Sequence, residues 1–202
     1  MLLGAPPHPP HSYKELNATA HCLAAWFHTM GIPRGATVAI LADNDPQYLV
    51  LDLACQLAGC INLTLPACEG PEEWEAKLAA CPPQVMLLTR YASYEAHRAW
   101  VDGQRQHMPV LVAMKKREEM QEHDTVVNLQ NVIERGKVVW REELEAVTAR
   151  TQAIQPQDPA AWVWVPSQVP GEAPTPLALS QSNLVAATEA AAAVGGAPKP
   201  GA

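Results

Sequence analysis

From Trp162 to Leu184 the chain reads Trp-Val-Trp-Val-Pro-Ser-Gln-Val-Pro-Gly-Glu-Ala-Pro-Thr-Pro-Leu-Ala-Leu-Ser-Gln-Ser-Asn-Leu. An apolar strand enters a turn and a helix follows it, the layout of loops that hold phosphate groups. Such loops aim backbone N–H groups and a helix N-terminus at an oxyanion. Glycines allow close approach of the backbone, and a lysine supplies the cation. This turn has a single glycine, Gly171, and no lysine. Pro166, Pro170, Pro174 and Pro176 each lack the N–H that the cradle needs. Ser167 and Gly171 remain as candidate oxyanion contacts.

Other reactive residues offer less. His21 and His28 stand a helical heptad apart with Cys22 beside one of them, but no third ligand at close spacing completes a metal site. Asp43 and Asp45 flank Asn44 just before Pro46 and read as caps of a helix, since no second carboxylate or histidine motif converges on them. No Gly-x-Ser-x-Gly or Cys–His signature appears. Trp162 and Trp164 alternate with valines and read as fillers of a buried strand.

The whole chain sets further bounds. At 202 residues and 48% hydrophobic it is long enough for one fair-sized core. A net charge of −7 without any Lys/Arg-rich run argues against nucleic acid and an anionic membrane surface as partners. Tyr48 to Leu65 is the longest near-apolar stretch, and Asp52, Gln56 and Asn62 interrupt it, so it is no membrane span. The first residues lack a basic start and a sustained apolar core, so they read as no signal peptide. Five cysteines without Cys-x-x-Cys spacing fit mostly buried thiols in a reducing cytoplasm.

Alternating elements must position the loop. After a Pro/His leader over 1–11, Ser12-Tyr-Lys-Glu15 is a capping box opening a helix that runs to about Met30 and stops at Gly31. Strands are expected at Thr37–Leu41, Ile61–Leu65, Val85–Leu88, Pro109–Ala113 and Ala160–Val165. Helices are expected from Pro46 to about Gly59, near Glu72–Ala80, around Ser93–Val101, at Glu142–Arg150 and at Asn183–Ala193. Lys115–Asp124 reads as a charged excursion. Regular segments return at Thr125–Leu129 and Asn131–Arg135, with Gly136 as a break. This alternation predicts an α/β fold, a mostly parallel sheet covered by helices on both faces. The predicted units are a leader at 1–11, one domain at 12–194 and a flexible tail at 195–202.

The order of these segments resembles the N-terminal part of the acyl-adenylate-forming superfamily of acyl-CoA synthetases, luciferases and adenylation domains. Ser12-Tyr-Lys-Glu-Leu16 with Gly31-Ile-Pro-Arg-Gly-Ala-Thr-Val-Ala-Ile40 looks like the family's first helix and strand. Asp43-Asn-Asp-Pro46 through Leu57-Ala-Gly59, then Leu63-Thr-Leu-Pro66, continues the match. Ile154-Gln-Pro-Gln-Asp-Pro-Ala-Ala-Trp162 resembles the approach to the phosphate loop, and Leu179-Ser-Gln-Ser-Asn-Leu184 the segment after it. Val132-Ile-Glu-Arg-Gly136 and Trp140-Arg-Glu-Glu-Leu144 look most like the long-chain fatty acid ligases.

The resemblance implies an ATP- and magnesium-dependent acid–CoA ligase in which this loop wraps the β- and γ-phosphates. Ser167 falls on the family serine, Gly171 on a glycine, and Thr175 on the lysine. Gln181 stands where the family has histidine. The adenine-binding segment, the ribose-binding acidic motif, the magnesium glutamate and the C-terminal lysine domain lie further along in the family. The expected reading is therefore a partial, catalytically inactive relative that binds no cofactor and acts through assembly. A homo-oligomer or a partner would then cover its exposed apolar surface. ATP and magnesium enter only if the family activity survives. Two alternatives stay open: the N-terminal part of a split ligase, and an acyl-chain or small-molecule binding module without nucleotide.

Overall fold

The computed structural model describes residues 12–43, 46–104, 106–112, 129–165 and 174–195. Helix α1 (Tyr13–Thr29) opens as its sequence directs. The Ser12 hydroxyl accepts the Glu15 N–H at 3.2 Å, and the Glu15 carboxylate accepts the Ser12 N–H at 2.9 Å. Gly31, at φ +66°, turns the chain out of the helix in the left-handed region that glycine adopts without strain.

Strand β1 (Thr37–Ala42) is buried at every position. It leads to α2 (Pro46–Ala58), with proline in the first turn, then β2 (Ile61–Pro66) and α3 (Pro71–Ala80). Then come β3 (Val85–Leu88), the short helices α4 (Tyr91–Ala96) and α5 (Arg98–Gln104), and β4 (Val110–Val112). The remaining elements are α6 (Leu129–Glu142), α7 (Leu144–Gln152), β5 (Pro159–Val165), β6 (Thr175–Ser180) and α8 (Gln181–Gly195).

The six strands form one sheet in the order β4-β3-β1-β2-β5-β6. Every neighbouring pair is parallel except β5 and β6, which pair antiparallel. The predicted α/β class and mostly parallel sheet are therefore observed. Alternation along the strands divides the core in two. Val38, Ile40, Ala42, Val85 and Leu87 pack with α1, α2 and Val132 of α6. Ala39, Leu41, Leu63, Leu65, Met86 and Leu88 pack on the other face with Trp74, Leu78, Tyr94 and Val101.

Four expectations need correction. Gly136 does not break a helix: α6 runs through it. A Cβ added there would lie 1.9 Å from the Cys22 carbonyl oxygen, so glycine is what lets α6 lie directly against the backbone of α1. The helix expected around Ser93–Val101 is two helices, interrupted at His97, whose ring sits edge-on to Trp74 at 4.8 Å. The helix expected from Glu142 begins at Leu144, because Glu142 still belongs to α6. Thr175–Ser180, assigned no strand from sequence, is the antiparallel edge strand. An edge position tolerates Pro176, which has no N–H to give a further strand. The segments 115–124 and 125–128 lie outside the described residues.

Candidate functional site

Strand β5 delivers the chain to the carboxyl end of the sheet beside β2, through the pairs Asn62–Ala161 and Leu63–Trp162. Ser167 and Gly171 follow Val165 and lie outside the described residues. Thr175 is the first residue of β6, exposed and paired with Val165.

At the base of this turn, Trp162 and Trp164 are half-buried on the core face carrying Trp74, packed as strand fillers. The Trp162 indole N–H donates to the Thr37 hydroxyl at 3.2 Å, whereas the buried Trp164 indole nitrogen has no hydrogen-bond partner among the described residues. Lys77 of α3 brings its ammonium to 6.0 Å from the centre of the Trp164 ring. That ammonium donates to the Glu69 carboxylate at 2.6 Å, and its side chain is only 12% exposed. A cation thus reaches the foot of the turn already neutralised.

A second polar group lies between α2 and the sheet. Tyr48, Asp52 and Gln56 recur every four residues and share one helix face. The Asn62 amide, 2% exposed, donates to Asp52 at 2.6 Å and to the Tyr48 hydroxyl at 3.2 Å. Tyr48 and Thr64 share a hydrogen bond of 3.0 Å. The Gln56 amide donates to the Ala160 carbonyl at 3.3 Å, and the Gln181 amide donates to Gln56 at 2.9 Å. The first turn of α8 is so linked, through side-chain amides, to the middle of β2. Sequence reasoning missed both groups. The four-residue repeat of polar residues in an otherwise apolar helix, facing Asn62 and Thr64 in alternation with leucines, was the available signal.

Most of the remaining candidates that are described have structural partners. Asp43 pairs with Arg90 at 3.2 Å, and Asp45 lies outside the described residues. His21 bonds the Asn17 carbonyl at 2.9 Å and meets Trp140 edge-on at 4.8 Å, while His28 pairs with Glu143 at 3.2 Å. Cys22, Cys55, Cys60 and Cys81 are buried free thiols, Cys68 an exposed one. Burial raises the Cys55 thiol well above its ordinary value, with nearby Cys60 and Asp52 adding to the effect. Burial also raises Cys60, opposed by Arg150, which donates to its sulfur. Among the described residues no cluster of three His, Cys, Asp or Glu side chains could hold a metal, and no helix is long and apolar enough to cross a membrane.

A mostly parallel sheet whose fifth strand leads toward the proline-rich segment can be set beside known proteins. A family model described as AMP-binding enzyme matches residues 8–164. The chain belongs to the AMP-binding enzyme family. A fatty acyl-adenylate ligase from L. pneumophila, solved with acyl adenylate and pyrophosphate, is similar in fold with a TM-score of 0.66 at 16% identity. That match covers 95% of this chain and 29% of the ligase. An acyl-CoA synthetase from Brucella canis gives 0.64 at 15% identity, over 87% of this chain and 29% of that one. VinN in complex with L-aspartate gives 0.63 at 19% identity, over 91% and 44%. No curated protein sequence matches the chain. This AMP-binding family member spans less than half the length of each of these structures. Its family match ends at Trp164, so β6 and α8 rest on the structural likeness alone.

Proposed function

We propose that this AMP-binding relative does not activate acids with ATP and instead acts as an assembly element, through the apolar face of β6 and α8. The observation that carries the reading is the exposure of that face. Leu177 is 51% exposed, Val185 56% and Val194 92%, and alanines fill most of the remaining outer positions of α8. Exposed apolar side chains on β6 and on both sides of α8 mark a segment suited to being covered by a partner or a second copy.

Inactivity is supported by the chemistry at the turn. A nucleotide does not fit the groups present: Thr175 has no charge where the family resemblance places lysine, and Lys77 is bound to Glu69. Four prolines in 166–176 withhold their N–H groups. One missing donor to a developing charge typically costs ~3 kcal/mol at the transition state. The loss of a cation and several donors exceeds that, even when the effects are not additive. A Thr175→Lys variant restores the charge but not the N–H groups, so it stays inactive.

Two measurements test the reading. Pyrophosphate exchange with a panel of fatty acids should equal a heat-killed control, and turnover clearly above it sinks the inactive assignment. Sedimentation should show self-association or a complex that Leu177→Glu and Ala190→Glu weaken. A monomer at high concentration that binds no apolar dye sinks the assembly role. The same reading places the chain in the cytoplasm, where its thiols stay reduced.

A further inference from the structure

The sheet changes the direction of its connections between β1 and β3, away from the proline-rich turn. From β1 the chain passes through α2 to β2 on one side; from β3 it passes through α4 and α5 to β4 on the other. Leu51, Ala54 and Cys55 of α2 belong to one core face, whereas Tyr94 of α4 and Val101 of α5 belong to the opposite one. Neighbouring strands whose connections leave to opposite faces open a crevice between their carboxyl ends, and α/β proteins bind ligands in such crevices.

The residues at this crevice are suited to an anion. Thr89 follows β3, is 5% exposed, and donates its N–H to the Leu41 carbonyl at 3.1 Å. Among the described residues its hydroxyl has no hydrogen-bond partner, an unfavourable state for a buried polar group. Continued alternation from Val85 and Leu87 turns Thr89 toward the face that carries α2. The 13-residue α2 starts at Pro46, four positions past the end of β1, so its positive end lies on the same side. Arg90, the next residue, reaches across the strand ends to the Asp43 carboxylate at 3.2 Å. Both side chains are about half-exposed, at 48% and 40%, so the pair opens to solvent without unfolding the core.

We infer that the crevice between the carboxyl ends of β1 and β3 binds a small oxyanion, a carboxylate or a phosphate, held by Thr89 and Arg90 in exchange for Asp43. The Asp43 carboxylate is the internal stand-in: it shows that a guanidinium poised for planar oxyanions sits at the mouth. Thr89 supplies the deeper donor that Asp43 leaves unused. The site owes nothing to the turn after β5, because β2 separates β5 from β1. It therefore stands or falls independently of the assembly role.

The test is a calorimetric titration of the full chain with sodium phosphate and, separately, sodium acetate, against chloride at fixed ionic strength. Saturable binding of at least one of them is expected, and the two arms tell a phosphate site from a carboxylate site. Asp43→Asn removes one competing carboxylate and should tighten binding. Thr89→Val, nearly the same shape, should weaken it about tenfold, as loss of a hydrogen bond to a charged group does. Arg90→Gln should abolish it. Should Thr89→Val fail to fold, the opposite shifts of Asp43→Asn and Arg90→Gln decide. An adventitious ion only, bound no better than chloride or indifferent to these substitutions, overturns the assignment.

Discussion

Gly136→Ala is the sharpest probe of how the helices meet. In an isolated helix the change stabilises by about 1 kcal/mol, since alanine is the better helix former. Here the new Cβ would lie 1.9 Å from the Cys22 carbonyl oxygen and 2.6 Å from its carbon, far inside any real contact. The obstacle is the backbone of α1 in the middle of its buried segment, so no side chain can swing aside. The helices must separate by more than an ångström, and overpacking of that sort costs typically ~1–3 kcal/mol and occasionally more. The backbone obstacle puts the penalty at the upper end. After subtracting the propensity gain, a net loss of about 2 kcal/mol is expected. For a chain of this size that lowers Tm by roughly 4–8 °C. Gly103→Ala in α5, with nothing within 4 Å of its would-be Cβ, is the control and should be neutral or slightly stabilising. Urea melts of both variants decide. Equal or higher stability for Gly136→Ala, with unchanged helix content, would refute the close crossing of α1 and α6.

Three further outcomes are expected. Asn62→Ala removes both donors that hold Asp52 and Tyr48, and denaturant melts should show a loss of about 2–3 kcal/mol, the range for a buried bond to a charged group. Asp158→Ala should destabilise more than Arg34→Ala. The Asp158 carboxylate accepts both Arg34, at 2.8 Å, and the Gln155 N–H, at 2.9 Å, whereas the exposed ion pair alone is worth about 0–1 kcal/mol. The third concerns pH. Cys55 is raised in the folded state, so its contribution is fully present below the unfolded thiol value, roughly 8.5, and is lost as pH rises toward the folded value. Thermal melts from neutral to strongly alkaline pH should fall on the alkaline side, less steeply in Cys55→Ala; identical slopes would discount the buried thiol.

Residues whose signals are local were legible without coordinates. Ser12 and Glu15 announced the start of α1, Gly31 its end, and the short apolar runs at 37–41, 61–65 and 85–88 the central strands. Residues whose meaning depends on distant neighbours were not. Gly136 reads as a breaker until α1 is placed against it, 114 positions earlier at Cys22. Thr175–Ser180, with its two prolines nearby, reads as loop until β5 supplies a partner to pair with. The candidate turn residues rest on type and order alone, while Lys77 and Glu69 are brought near Trp164 at the end of β5 by the packing of α3 on the sheet. Asn62 looked like an interruption of an apolar stretch, and the fold makes it the hub of a hydrogen-bonded chain.

The seam between β2 and β5 has a kinetic consequence. Strands β1 and β2 match along six register pairs, whereas β2 and β5 share two, although β5 starts more than ninety positions after β2 ends. Closing so long a loop for so short a ladder gives little return until the helices between them are in place. The β1–β4 unit can therefore organise early from near neighbours. The β5–β6 hairpin, its two strands adjacent in sequence and joined by a longer ladder, can form on its own with α8 behind it and dock last. Such a late-docking unit is also the first to let go, as a cooperative segment below the stability of the whole. The segment that carries exposed Leu177, Val185 and Val194 thus hangs on the shortest ladder of the sheet, and a partner that bound only its docked arrangement would hold that seam closed.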